Sequence, residues 1–138
     1  MPAKSHNTHF PTALDTEICH KIIKLEHDIY EYSDNVMPKK RKYSLVANVE
    51  LRILATRDLV VAGMDYDINI YPAKKHELLS DARANLRNLS VDLQQLNDLG
   101  LVSNAAKATF DIQIDDVQTN LAKLLSSLLK KIDIASQS

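Results

Sequence analysis

Glu17-Ile18-Cys19-His20 sets a carboxylate and an imidazole three residues apart, the Glu-x-x-His unit with which some helical bundles hold two metal ions. Such a site needs a second copy on a facing helix, and the sequence holds one copy only. His20 and His27 share a helical face, but Lys24 shares it too, and a cation there argues against a metal. Cys19 would need a base to act as a nucleophile, yet adjacent helical residues diverge by about 100°, so His20 cannot reach it. Cys19 reads as a small, partly buried hydrophobe. Asp115-Asp116 and Glu26-His27-Asp28 read as exposed charge, and two glycines in the whole chain cannot form a phosphate-cradling loop. The expectation is a protein that is not an enzyme and holds no metal and no cofactor.

Binding is better represented than catalysis. Lys39, Lys40, Arg41 and Lys42 follow one another directly after Pro38, and Tyr43 comes next. Cations so crowded repel one another, and a polyanion relieves that repulsion while shedding its own counterions. Tyr43 could stack on an unpaired base. Arg83 and Arg87 lie one helical turn apart, and arginine offers a planar fork to phosphates and carboxylates. The bland alternatives are a solubilising loop for residues 39–42 and ion pairing inside the domain for the arginines, with Asp81 or Asp92 as partner to Arg87. Arg52 and Arg57 are candidates for bridges between subunits.

The elements that must position these groups are helices. Ile18, Ile22, Leu25, Ile29, Tyr32 and Val36 alternate at spacings of four and three, and Asp15 or Thr16 is placed to cap the helix they form. It must stop before Pro38. Ser44 can cap a second helix in which Leu45, Val46, Val49, Ile53, Val60 and Met64 recur, with Gly63 near its C-terminal cap. Leu51, Leu54, Leu59 and Val61 fall off that stripe, and a second apolar face suggests a neighbouring subunit. Tyr71-Pro72 opens a third helix at about Ala73 or Lys74, with the seam Leu79, Ala82, Leu86, Leu89, Leu93 and Leu96. Gly100 ends it, and Ser103 or Asn104 caps a fourth with the seam Phe110, Ile114, Val117, Leu121, Leu124 and Leu128.

Long helices joined by short links pack antiparallel, so the fold class expected is all-α, an up-down-up-down four-helix bundle over residues 14–134. Residues 1–13 read as a flexible lead and 135–138 as a frayed end. The composition agrees: 138 residues with no Trp, two Gly and 5% aromatics lack the means for an all-β fold. Seventeen basic against eighteen acidic residues give no global electrostatic case for nucleic acid, so any such binding must be local. The topology sets residues 39–42 at one end beside Gly100, and Lys74, Lys75, Lys130 and Lys131 at the other. One cysteine excludes an intrachain disulfide, and without a signal core or a spanning segment the cytoplasm is the compartment expected, away from membranes.

Pro38-Lys39-Lys40, the long helix after it, Val61-Ala62-Gly63 and Arg83-Ala84-Asn85-Leu86-Arg87-Asn88-Leu89 together carry a resemblance. The last stretch matches an Arg-x-x-Leu-Arg-x-Leu pattern in the third helix of the accessory variability determinant (Avd) proteins of diversity-generating retroelements, and from about Ile18 to Lys131 the chain resembles that family. It also resembles the related four-helix proteins encoded in rRNA intervening sequences. The resemblance implies a non-enzymatic accessory protein forming a ring-like homo-oligomer, a pentamer, that binds the element's reverse transcriptase and template RNA or DNA in mutagenic reverse transcription. It assigns binding to Lys39, Lys40, Arg41, Lys42, Arg83 and Arg87. The second reading is an interaction or scaffold bundle of the intervening-sequence type with no retroelement role.

Overall fold

The computed structural model describes residues 12–35 and 45–137, and these form four α-helices: α1 (Ala13–Asn35), α2 (Ala47–Met64), α3 (Pro72–Asp98) and α4 (Asn104–Gln137). They run up-down-up-down. Each packs on its neighbours in the chain, and α1 closes the square against α4. Met37, Pro38, Lys39, Lys40, Arg41, Lys42, Tyr43 and Ser44 lie outside the described residues, as do residues 1–11, Val36 and Ser138.

The three-four alternations become the core. Ile18, Ile22, Leu25 and Ile29 of α1, the six seam positions of α3 and the six of α4 are all buried, with Val46, Val49, Ile53, Val60 and Met64 from the α2 segment. Such side chains contribute about 1.5–3 kcal/mol each when removed from water. α1 departs from its stripe at the top, where Ser33 takes the buried position and Tyr32 stays half-buried. α2 does likewise at Thr56, whose hydroxyl donates to the Arg52 carbonyl at 2.7 Å and so needs no partner across the core.

The caps differ from the sequence expectation at two places. α1 is capped by Thr12, three residues before Asp15 and four before Thr16, the two expected positions: the Asp15 N–H donates to Thr12 Oγ1 at 3.1 Å and the Thr12 N–H to Asp15 Oδ2 at 3.3 Å, a reciprocal capping box. Gly63 is no cap, because α2 runs through it and ends at Met64. The glycine is there for packing: a Cβ on it would stand 2.7 Å from Leu79 Cδ2. Gly63→Ala gains roughly 1 kcal/mol of helix propensity and loses about 1–3 kcal/mol to overpacking against a leucine that has nowhere to go. The clash wins, and a lower midpoint in urea denaturation is the expected result.

The other two caps follow the sequence. Gly100 adopts φ 77°, which lets the Leu101 N–H reach the Leu96 carbonyl at 2.9 Å and the Gly100 N–H reach Asn97 at 3.0 Å, closing α3. Ser103 Oγ accepts from the Ala106 N–H at 3.1 Å and starts α4. α4 continues as helix to Gln137, beyond position 134 where the composition alone ends the bundle.

Candidate nucleic-acid and partner interface

Of the six candidate binding residues, Arg83 and Arg87 can be placed; Lys39, Lys40, Arg41 and Lys42 belong to the stretch outside the described residues. The described residues on either side of that stretch are Asn35, at the end of α1, and Leu45, just before α2.

Arg83 is half-buried between α3 and α4. Its Nε donates to Gln118 Oε1 at 3.2 Å, while Gln118 Nε2 donates back to the Arg83 carbonyl at 3.0 Å. The pair fixes the guanidinium at the edge of an open groove of about 750 Å³ lined also by Asp115, Thr119, Ala122, Lys123 and Ser126. Arg83 is therefore partly committed to the bundle. Lys123, absent from the candidates read off the sequence, shares the groove with it. The antiparallel register that sets Arg83 opposite Gln118 is the signal for it, since Lys123 lies little more than a turn further along α4.

Arg87, one turn on, is exposed and makes no ion pair among the described residues. Asp92, one of the two carboxylates considered for it, is taken by Arg52, whose Nε lies 2.6 Å from its Oδ2. Arg57 lies 3.6 Å from Glu26 and 3.2 Å from Asp58. Both α2 arginines thus have carboxylate partners within the chain. α2 does keep an apolar outward face, with Leu51 64% and Val61 43% exposed, while Leu59 packs against the core.

The second basic cluster loses a member. Lys74 lies 3.7 Å from Glu77, and Lys130 and Lys131 are exposed, but Lys75 is completely buried with its ammonium turned inward. Lys75 Nζ donates to the carbonyls of Gly63 at 3.3 Å and Tyr66 at 3.0 Å, and stands 3.6 Å from Asp15 Oδ2.

Around the Glu-x-x-His unit, Lys21 bonds to Glu17 at 2.8 Å and to Asp116 at 2.9 Å. The Lys21 hydrogen bond holds the Glu17 carboxyl below its ordinary value. Among the described residues no three His, Cys, Asp or Glu side chains are placed to hold a metal ion. Cys19 is half-buried; burial first, and Asp15 after it, push its thiol above the ordinary value. The thiolate is the reactive form, so Cys19 should react with a disulfide reagent at neutral pH more slowly than free cysteine, and catch up as the pH rises. Reaction at the free-cysteine rate would contradict this placement.

Among the described residues no helix is long and apolar enough to cross a membrane. No protein-family model matches the sequence, and no curated protein matches it.

Proposed function

We propose that the chain is a non-enzymatic accessory bundle of the Avd type, which assembles into a homo-pentameric ring and holds a reverse transcriptase and its RNA or DNA template together during mutagenic reverse transcription. The observation that carries this reading is a segregation of charge. The four helices hold sixteen Asp and Glu against twelve Lys and Arg, formally −4, while Lys39, Lys40, Arg41 and Lys42 alone carry +4. A polyanion is repelled by the helices and attracted to that basic stretch. The exposed apolar residues of α2 support the assembly, since a second copy covering Leu51 and Val61 would remove both side chains from water. Repetition of one weak patch around a ring then raises affinity by avidity.

The acidity of the body also favours a second reading, a scaffold bundle of the intervening-sequence type that binds a protein partner and no nucleic acid. Size-exclusion chromatography with light scattering tests the first reading directly. A pentamer that binds RNA in a salt-sensitive manner is expected. A monomer overturns the ring, and a pentamer indifferent to RNA at low salt leaves the scaffold reading standing.

A further inference from the structure

The bundle carries a groove of the opposite character on another face. It lies between α1 and α4, holds about 310 Å³, and is lined by Asp28, Glu31, Tyr32, Asn35, Phe110 and Gln113 among others. Its aromatic wall is rigid: the rings of Tyr32 and Phe110 meet edge-to-face at 5.7 Å and 88°, and Tyr32 Oη is held by the Ser103 N–H. Its rim is acidic. Asp28 and Glu31 of α1 line the groove, and among the described residues no Lys or Arg does.

Among the described residues, Lys24 and Lys107 are already engaged. Lys24 binds Asp28 at 2.7 Å, and Lys107, the one cation in the first turns of α4, binds Asp111 at 2.6 Å. Glu31 is approached by His27 at 3.6 Å and stays largely exposed. Gln113 Nε2 donates to Asp28 at 2.9 Å, which fixes the amide and leaves Gln113 Oε1 fully buried with no donor among the described residues. An acceptor so placed costs free energy until a donor reaches it.

We propose that this groove docks a cationic peptide segment of a partner protein. An apolar side chain packs on Tyr32 and Phe110, and a Lys or Arg reaches Glu31 and Asp28. Carboxylates exclude a nucleic-acid phosphate from this face. The site is independent of the ring, and it would let one bundle hold a polyanion by its basic stretch and a basic protein by its side.

The probe is a fluorescein-labelled peptide, Arg-Leu-Lys-Tyr-Arg-Leu-Lys, titrated into the full chain at low salt and followed by anisotropy and by amide chemical shifts. Saturable binding is expected, with shifts confined to residues 28–35 and 106–113, and no binding of the same peptide with Glu at each cationic position. Glu31→Lys should weaken binding about tenfold or more, the equivalent of one lost interaction across an interface. Thr109→Arg, at an exposed groove position, should do the same, both variants keeping the wild-type thermal midpoint within a few degrees. Absence of saturable binding, or binding that neither variant weakens, overturns the proposal. Binding that emerges only after Lys39, Lys40, Arg41 and Lys42 are replaced by serine also overturns it, because the groove would then belong to the chain's own basic stretch.

Discussion

Replacing Lys75 with alanine should destabilise the bundle by about 3–5 kcal/mol, the range for removing one partner of a buried ion pair. Lys75 joins three elements at one point: its ammonium bonds the carbonyls of Gly63 and Tyr66 at the end of α2, and stands 3.6 Å from the Asp15 carboxylate in the first turn of α1. A cation also suits the negative pole of α2. Without it, two carbonyls and a carboxylate with 2% exposure each lose one partner, and a cavity the size of the side chain opens. Lys75→Met keeps most of the volume and separates the charge from the packing. Combining Lys75→Met with Asp15→Asn should recover much of the loss in a double-mutant cycle followed by urea denaturation, because the uncompensated charge is then gone. A single variant as stable as the wild type would mean that the Lys75 ammonium does not hold the end of α2 to α1.

The same group sets a pH dependence. Burial pushes the Lys75 amine below its ordinary 10.5, and this outweighs the opposing pull of Asp15. Between the depressed value and 10.5 the unfolded chain holds a proton that the folded chain has released, so stability from this group rises with pH across that window. The stability difference between wild type and Lys75→Met should therefore widen in the wild type's favour as the pH climbs toward that value. A difference that stays flat or narrows in that window would contradict the burial of the ammonium.

Lys75 also shows why the bundle was readable in the sequence and its end was not. The seams of α3 and α4 consist of Leu, Ile, Val, Ala and Phe at unbroken three-four spacing, and every one of those positions is buried. Stepping back four residues from Leu79 lands on 75, and stepping forward four from Ile29 lands on 33, so the period points inward at both. Residue type argues for solvent at each. At Lys75 a set of partners beyond its own helix reverses that preference, which no spacing reveals, whereas Ser33 Oγ is buried with no hydrogen-bond partner among the described residues. Thr56 is a third case, satisfied by its own backbone. The Thr12 cap was legible as Thr-x-x-Asp, with Asp15 the second member of the box and not the cap itself. The binding residues were harder. Arg83 was visible as a candidate, but its tie to Gln118 depends on the register between two helices, and so does the company of Lys123.

Reversing Lys39, Lys40, Arg41 and Lys42 to glutamate should lower affinity for single-stranded RNA by at least about a hundredfold at low salt, since it removes the phosphate contacts that supply nonspecific affinity. The body cannot compensate, because its own formal charge is negative. Arg87→Glu, which breaks no ion pair among the described residues, should act in the same direction but more weakly, as one contact in place of four. Affinity unchanged by the fourfold reversal would sink the assignment of these residues. For the wild type, four neutralised phosphates give a slope of log affinity against log salt of about −3, so raising salt from about 50 to 200 mM should weaken binding roughly fiftyfold. The slope also counts copies. If several protomers of a ring touch one RNA, their contacts add on the same strand, and two engaged stretches give about −6 where one gives about −3. A slope near −3 from a protein shown to be a pentamer would mean that the basic stretches act singly. A slope near zero would mean that the attraction is not to phosphate at all.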